Sequence, residues 1–235
     1  MTAHRELKFY ATHPHTCSYL KEEEATTLFM DPQEPLDQSL YTQLVSLGFR
    51  RSGPHVYQPY CKSCKRCIPA RVPVDDFRMQ RTQRKCWNKN QDLTVSAEPV
   101  AYTEEIYDLY ENYINEQHTD GDMFPASREQ FMDFLIDSPD FCRFYHFRLK
   151  DQLIAVAVTD RMDNGLSAIY TFYNPEFTKR SLGRFCILWQ IHETRRLRLQ
   201  YLHLGYWIKN CRKMAYKTEY QPLDIYKGNQ WVSII

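Results

Sequence analysis

The stretch RFYHFRLKDQLIAVAVTDRMDNGLSAIYTFY, residues 143–173, decides the fold because it predicts three consecutive strands. Runs rich in β-branched and aromatic residues are typical of strands, and here they cover Arg143–Leu149, Leu153–Thr159 and Leu166–Tyr173. A tight turn at residues 150–151 joins the first pair, and the DNG turn at 163–165 joins the second. We therefore predict an antiparallel meander in the second half of the chain.

Helical patterns lie on both sides of this meander. Before it, Thr103 is placed to cap an amphipathic helix, and Ser127 with Gln130 forms a capping box for a second one. After it come a long helix at 181–199, a strand at 201–206 and a short helix at 208–216. This is the order of elements in the GNAT-type acyltransferase core. We predict an α+β fold in which a small Cys-containing N-terminal domain, residues 1–100, precedes a GNAT-like acyltransferase domain, residues 101–235.

Composition indicates a folded chain that does not enter a membrane. The 235 residues are 43% hydrophobic and 25% charged, a balance typical of globular proteins. The longest apolar run, Leu153–Val158, is far shorter than the roughly 18 residues that a membrane-spanning helix needs. The first residues, MTAHRELKF, lack the apolar stretch of a signal peptide. We expect the protein to be cytoplasmic.

Charge is distributed unevenly along the chain. The segment from Phe49 to Lys89 carries 11 Lys and Arg against 2 Asp, whereas the whole chain has a net charge of +1. Residues 77–90 have no acidic residue, and as a helix they would place Arg78, Arg81, Arg84 and Lys85 on roughly one face. Such a block is typical of a surface that binds a polyanion, most often nucleic acid. The alternative is a solvated helix face that binds nothing.

Three of the eight cysteines lie close together in the sequence CKSCKRC, at Cys61, Cys64 and Cys67. Two-residue spacing allows neighbouring thiolates to face one metal, as in zinc ribbons and iron–sulfur sites. A fourth ligand would come from Cys17 or a histidine, the candidates being His13, His15 and His55. Zinc, an iron–sulfur cluster and three reduced thiols with no metal all remain open. The other four cysteines lie among apolar or helical neighbours and are expected to be core residues.

Two further segments bear on chemistry. The sequence Arg180-Ser181-Leu182-Gly183 precedes the long helix where GNAT enzymes hold the pyrophosphate of acetyl-CoA, but Phe185 stands where they have Gly or Ala. We expect the Phe185 ring to crowd a pyrophosphate, which disfavours acetyl-CoA. The segment YLHLGYWIKNCRKMAYKTEY, residues 201–220, concentrates Tyr, His and Lys, which can donate, accept and shuttle protons. For any single tyrosine there, the alternative is the edge of an aromatic core.

Longer stretches resemble one family over nearly the whole chain. RRSGPHVYQPYCKSCKRCIPARVPVDDFRMQRTQRKCWNKNQDL, residues 50–93, is similar to the N-terminal block of the bacterial leucyl-tRNA–protein transferases. These enzymes are a branch of the arginyl-tRNA–protein transferase (N-degron, or N-end rule) family. HTDGDMFPASREQFMDFL, GLSAIYTFYNPEFTKRSLGRFCILWQI and YLHLGYWIKNCRKMAYKTEYQPL, at 118–135, 165–191 and 201–223, resemble its C-terminal blocks in the same order.

The resemblance implies an aminoacyltransferase. Family members move the aminoacyl group of a charged tRNA to the N-terminal α-amine of a protein. In the bacterial branch the donor is Leu-tRNA, the acceptor begins with Asp or Glu, and the product is marked for degradation. Leu20, in HTCSYLK, stands where eukaryotic arginyl enzymes have a second Cys, which favours the bacterial branch. The reaction requires no cofactor, and the implied partners are Leu-tRNA, acceptor proteins and, indirectly, proteolytic machinery.

Site residues are predicted for each part of this reaction. For catalysis we predict the cleft residues Tyr170, His203, Tyr206, Tyr216 and Lys217, with Lys217 stabilising charge. For the acidic acceptor we predict an arginine, with Arg50, Arg51 and Arg71 unranked. For tRNA phosphates we predict Arg78, Arg81, Arg84, Lys85 and Lys89. For a metal, the candidate ligands are Cys17, Cys61, Cys64 and Cys67.

Two other functions remain possible from the residues alone. A GNAT-type N-acetyltransferase would use acetyl-CoA on the same fold. A non-catalytic Cys-cluster module that binds RNA would explain the basic segment but not the long C-terminal half of the chain.

Overall fold

Helices and strands alternate along the chain in the computed structural model, which describes residues 6–234. The strands of that part are β1 Phe9–Ala11, β2 His15–Thr16, β3 Glu24–Ala25, β4 Thr27–Met30, β5 Arg50–Ser52, β6 His55–Pro59, β7 Ile68–Pro73, β8 Leu93–Pro99, β9 Cys142–Leu149, β10 Gln152–Arg161, β11 Gly165–Tyr173, β12 Tyr201–Trp207, β13 Leu223–Lys227 and β14 Gln230–Ile234. The helices are α1 Gln38–Ser46, α2 Arg81–Lys89, α3 Glu104–Gln117, α4 Arg128–Phe131, α5 Leu182–Arg196 and α6 Arg212–Ala215. A π-helical turn, Met132–Ile136, extends α4, and 3-10 helices span Pro175–Arg180 and Tyr216–Glu219. The predicted mixture of helix and sheet is confirmed.

One eight-stranded sheet forms the centre of the molecule. Its strand order is β14-β13-β7-β12-β11-β10-β9-β8, and a separate four-stranded sheet has the order β1-β4-β6-β5. The large sheet contains the predicted meander, β9 to β11, but it also takes β7 and β8 from the first 100 residues. The sheet thus crosses the boundary predicted at residue 100, and the division into domains 1–100 and 101–235 stays a prediction.

Local signals in the sequence place the helix ends. The Asp37 side chain accepts a hydrogen bond from the Leu40 amide at 2.7 Å, and Thr103 caps α3 in the same way. Gly48 ends the α1 segment with a φ of +94°, a left-handed conformation that glycine adopts without steric cost. In the meander, Lys150 takes a φ of +54° in the tight turn between β9 and β10.

The two faces of the large sheet bury different helices. Alternate residues of β10 point to opposite faces, so Ala155 and Ala157 pack in the cluster that contains α5, whereas Val156 and Val158 pack in the cluster that contains α3. Covering both faces leaves the edges and ends of the strands as the places where a substrate can reach the sheet. Within residues 6–234, no helix is both long and apolar enough to cross a membrane.

The pair β11–β12 is the parallel step in the sheet, and it is short. Pairing runs only from Gly165 opposite Tyr201 to Ser167 opposite His203. Beyond this point β11 continues to Tyr173 next to β10, while β12 continues to Trp207 next to β7. The two strands therefore separate after Ser167 and His203, which opens a wedge in the sheet.

A buried ion pair connects the four-stranded sheet to the large one. Arg51 on β5 donates from Nε and Nη2 to the two carboxylate oxygens of Asp160 on β10, at 2.6 and 2.5 Å. Both side chains are fully buried, and Arg51 also donates to the Gly53 carbonyl. A bidentate pair of this kind fixes the orientation of the two sheets.

We expect Asp160→Asn to lower the free energy of unfolding by about 3–5 kcal/mol, because it leaves the Arg51 guanidinium buried without a counter-charge. Urea denaturation followed by circular dichroism measures this loss. The matched control is Glu105→Gln, which breaks the Arg148–Glu105 pair on the surface, where the side chains are 31% and 50% exposed. That variant should lose at most about 1 kcal/mol. Equal losses in the two variants would contradict a structural role for the buried pair.

Candidate active site

Tyr170 lies on β11 at the wall of the wedge. Its ring packs among aromatic side chains, with ring centroids 5.3 Å from Phe134 and 6.3 Å from Tyr113 on α3. Its hydroxyl makes no hydrogen bond to any residue in the described range 6–234. Burial raises the pKa of Tyr170, so the group stays protonated at neutral pH and is available as a donor.

Tyr206 lies on β12, on the other side of the wedge, but its proton is already used. The hydroxyl donates to the Gly48 carbonyl at 2.9 Å, and the Tyr57 carbonyl lies 3.4 Å away. The side chain is buried and contacts the Tyr57 ring. This geometry ties β12 to the N-terminal sheet and leaves Tyr206 without a free proton for a substrate.

His203 is completely buried at the last position of β12 that pairs with β11. Neither ring nitrogen has a hydrogen-bond partner within the described chain, and the ring meets Trp231 edge-on at 5.5 Å. Burial, followed by repulsion from Arg50 and Arg71, lowers the pKa of His203 well below its usual value. The imidazole is therefore neutral at pH 7, with unused hydrogen-bonding capacity.

Lys217 and Tyr216 lie together in the 3-10 helix that follows α6. Lys217 is only 3% exposed; its ammonium nitrogen is 3.1 Å from the Met214 sulfur and 4.7 Å from the centroid of the Tyr216 ring. Burial, and to a lesser extent repulsion from Arg50, lowers the pKa of Lys217 to about 7. Tyr216 is partly exposed and covers this lysine on the solvent side.

The three candidate arginines differ in what neutralises them. Arg51 forms the bidentate pair with Asp160, and Arg71 contacts Asp224 at 3.2 Å. Arg71 is also stacked on Tyr201 and Trp231, 3.5 and 4.2 Å from the two ring centroids.

Arg50 has no such partner. It donates to the Ser167 hydroxyl at 3.2 Å and to the carbonyls of Ala70 and Gly205 at 3.3 and 3.4 Å. Its Nε has no acceptor, and no carboxylate of the described residues pairs with it. A buried cation that forms no ion pair with a described carboxylate thus lies at the point where β11 and β12 separate; Asp160 acts on it only from a distance, through its pair with Arg51.

The basic segment 77–90 is helical only from Arg81 to Lys89, as α2, so Arg78 lies before the helix and not on its face. Part of the segment is free to meet a ligand. Arg81 and Lys85, one turn apart, are exposed. The other three cations donate hydrogen bonds to backbone carbonyls. Arg78 donates to Asp75, Arg84 to Met79 and Lys89 to Lys179. Gln83 on the buried side of α2 donates to the Glu219 carbonyl at 2.9 Å. This bond places α2 beside the 3-10 helix that carries Lys217.

The cysteine segment folds against the same end of the sheet. Cys17, Cys64 and Cys67 pack around Leu20 and Ile208, together with Cys211, which the sequence pattern assigns to the core. The Cys61 thiol faces the Thr26 carbonyl at 3.8 Å. Burial and the neighbouring thiols raise the pKa of Cys67 to about 12. Among residues 6–234, no group of three or more His, Cys, Asp or Glu is arranged to hold a metal ion. Metal binding at Cys17, Cys61, Cys64 and Cys67 stays a prediction.

The segment before α5 corrects one sequence expectation. Phe185 is buried and packs against Trp87 and Phe147, with ring centroids 5.6 and 5.8 Å away. Its ring points into the core and not over the start of the helix, so it does not crowd a phosphate there. Arg180 instead pairs with Asp92 through two 2.8 Å bonds.

Some residues around the wedge are not among the predicted site residues. Tyr113 on α3 contacts both Tyr170 and Tyr173, and Phe134 closes the other side of Tyr170. Ser167 binds Arg50 at the end of the parallel pairing. In the sequence, Tyr113 belongs to the apolar stripe of a helix and Ser167 to a strand, so neither carries a signal that separates it from an ordinary core residue.

Comparisons with known proteins give a consistent result. Residues 15–85 match the family model described as arginine-tRNA-protein transferase, N terminus, and residues 105–227 match the model of its C terminus. Proteins named aspartate/glutamate leucyltransferase from Pseudomonas savastanoi pv. phaseolicola, Pseudomonas aeruginosa and Stutzerimonas stutzeri are each 55% identical to the chain, with full coverage of both sequences.

Among solved structures, the chain resembles the C-terminal domain of an Agrobacterium fabrum protein assigned as a lysylphosphatidylglycerol synthetase. The TM-score is 0.50 at 12% identity, over 83% of this chain and 62% of that one. At this identity the likeness concerns the fold alone.

Proposed function

The chain belongs to the arginine-tRNA-protein transferase family, and we propose that it transfers leucine from Leu-tRNA to the N-terminal α-amine of proteins that begin with Asp or Glu. The observation that carries this proposal is full-length identity of 55% to leucyltransferases named for those two acceptor residues. The chain is an aminoacyltransferase, and its substrates are an aminoacyl-tRNA and a protein. The product enters N-end rule degradation, and we place the reaction in the cytoplasm.

The reaction is aminolysis of an ester. The acceptor nitrogen attacks the leucyl carbonyl, the bond to the terminal ribose oxygen breaks, and a proton passes from the amine to that oxygen. An α-amino group with a pKa of about 8 is partly neutral at pH 7. Because the donor ester is already activated, the reaction needs neither a nucleophilic side chain nor a cofactor. Positioning of the two substrates and donors for the developing oxyanion then dominate catalysis.

The wedge between β11 and β12 suits this chemistry. We assign the Tyr170 hydroxyl to the oxyanion, since it is protonated and unbonded within the described chain. Neutral His203 stays our candidate for proton transfer, and Tyr216 contributes to the wall of the cleft beside Lys217. For Tyr206 we propose a positioning role, because its hydroxyl already donates to the Gly48 carbonyl. A strand pair that separates within a mixed sheet, with helices on both faces, supports a GNAT-like architecture for residues 101–235.

For the tRNA we propose contacts from the exposed face of α2. Arg81 and Lys85 are free to meet phosphates, and Arg78, Arg84 and Lys89 lie around them. Phosphate contacts fix the orientation of the nucleic acid without reading its sequence. On the opposite, buried side of α2, the bond from Gln83 to the Glu219 carbonyl holds the helix against the 3-10 helix that carries Lys217.

We expect radiolabelled leucine to be transferred from Leu-tRNA to peptides that begin with Asp or Glu, and not to peptides that begin with Arg or Ala. Arg-tRNA serves as the competing donor. Transfer from Arg-tRNA alone would keep the reaction but contradict leucine as the donor. Absence of transfer from either tRNA, together with binding of acetyl-CoA or of RNA alone, would overturn the proposal in favour of an acetyltransferase or an RNA-binding module.

We expect Tyr170→Phe to lower kcat about 100-fold or more, as removal of an oxyanion donor does, with no change in stability. Tyr206→Phe should act mainly on folding and lower the free energy of unfolding by about 1–3 kcal/mol, because the Gly48 carbonyl is left without its donor. Single-turnover transfer and urea denaturation separate the two effects. If Tyr206→Phe lowered kcat as much as Tyr170→Phe at full stability, Tyr206 would act in the reaction itself, which would contradict its positioning role.

The double variant Arg81→Glu/Lys85→Glu should weaken tRNA binding and reduce the slope of log K against log salt by about 1 for each phosphate that α2 no longer neutralises. These two cations are chosen because they hold no part of the fold. The control is Lys150→Glu/Lys227→Glu, two exposed cations beside turns outside α2. Filter binding at several salt concentrations measures both variants, and an unchanged slope in the α2 variant would rule out phosphate contacts there.

A further inference from the structure

We propose that Arg50 and Lys217 together bind the side-chain carboxylate of the acceptor's first residue and thereby set the preference for Asp and Glu. This inference rests on the proposed function and assigns the residues that would select its acceptor. Of the three arginines suggested by the sequence it retains one, and it gives Lys217 a role in substrate binding.

The state of Arg50 is the first reason. A buried guanidinium is costly unless a negative charge compensates it. Three neutral oxygens, from Ser167, Ala70 and Gly205, accept from Arg50, and its Nε donates to nothing in the described chain. The group is held in place by its environment but retains its full charge and one unused donor. A bound anion would compensate this charge and accept a hydrogen bond from the unused Nε donor.

Lys217 is the second reason. It is a second buried cation near Arg50, and within residues 6–234 it too pairs with no carboxylate; the Met214 sulfur is its hydrogen-bond acceptor. Two like charges buried together destabilise each other. One carboxylate bound between them would compensate both, and charge-assisted hydrogen bonds to it are stronger than those to a neutral group.

The other two arginines are already compensated. Arg51 is paired through both of its carboxylate contacts to Asp160, and Arg71 is paired with Asp224 and covered by Tyr201 and Trp231. An acceptor carboxylate would have to displace these protein carboxylates, which are held at short distances by the fold. Arg50 needs no such displacement.

The place of Arg50 also suits the acceptor. Ser167, which it binds, is the last β11 residue paired with β12, so the cation lies at the closed end of the wedge. If the side chain of the acceptor's first residue reaches Arg50, its α-amine lies toward the open part of the wedge, where Tyr170 lies. The ionisable groups that act on Arg50 are the tyrosines 41, 57 and 206, His203, and Asp160, whose carboxylate is already paired with Arg51. Cys211 and Tyr216 lie beside Lys217.

The test compares kcat/KM for two peptides that differ only in a first residue of Asp or Asn, at saturating Leu-tRNA. We expect Lys217→Met to lower the Asp/Asn ratio about tenfold or more, since it removes a hydrogen bond between two charged groups. Arg50→Lys should lower it as well, because one point charge replaces a fork of donors. The matched control is Lys213→Met, an exposed lysine one turn earlier that pairs with Asp120 and should keep the wild-type ratio.

The pH dependence of the same ratio supplies a second readout. The Lys217 cation is present below a pKa of about 7 and is neutralised above it, so the wild-type ratio should fall as pH rises through 7. The Asp carboxylate raises the pKa of its own α-amine above that of the Asn peptide, so each kcat/KM is first divided by the neutral fraction of its amine, from a separate titration of the free peptide. Lys217→Arg keeps its charge at all these pH values and should retain a high ratio at pH 9.

Failure of the two proposals can be told apart. If the wild type transferred leucine to neither peptide, the proposed function would be wrong. If it preferred Asp while Lys217→Met and Arg50→Lys both kept the wild-type ratio and its pH profile, the carboxylate would bind elsewhere. Circular dichroism and urea denaturation confirm that the variants are folded, and Lys217→Met remains informative even if Arg50→Lys is not.

Discussion

The Arg50 guanidinium connects three strands of the large sheet at the point where β11 and β12 separate. Arg50 donates to Ser167 on β11, to Ala70 on β7 and to Gly205 on β12, and thus connects three strands from distant parts of the sequence. The parallel pairing of β11 with β12 stops at the same level. Because a cation at this position has no carboxylate of its own in the described chain, the element that shapes the wedge also gives it a positive charge. In our proposal, structure and substrate preference therefore depend on the same side chain.

The rest of the site is organised around that charge. Arg51, the next residue, points to the other side of β5 and is neutralised by Asp160, so it joins the two sheets. Burial, reinforced by repulsion from Arg50, keeps His203 neutral and lowers the charge on Lys217. At the rim, α2 adds exposed cations that we propose contact the tRNA. Its Gln83 fixes the position of the 3-10 helix that carries Lys217. Donor and acceptor would then approach the wedge from different sides.

Sequence patterns are sufficient for local structure and for the family, but not for the partners of individual side chains. The meander and the caps at Thr103 and Ser127 follow from turn and capping chemistry within a few residues, and the structure confirms them. The insertion of β7 between β12 and β13 depends on pairings between residues more than 100 positions apart, which no local pattern contains. For the same reason the sequence does not distinguish Arg50 from Arg51: Arg51 forms an ion pair with Asp160, which is 109 positions away, and Arg50 does not. The GNAT pyrophosphate motif predicts that the Phe185 ring lies over the start of α5. In the structure the ring instead packs in the core against Trp87.

The most direct test is a crystal structure of the protein with an RNA hairpin that carries a non-hydrolysable 3′-leucylamido group and with a peptide that begins with Asp. We expect the leucyl group between β11 and β12, with its carbonyl oxygen at the Tyr170 hydroxyl. The aspartate side chain should contact Arg50 and Lys217, and the hairpin phosphates should lie along α2. A leucyl group bound outside the wedge, or an aspartate carboxylate held by residues other than these two cations, would contradict the central claim that the opening at Arg50 is the site of transfer.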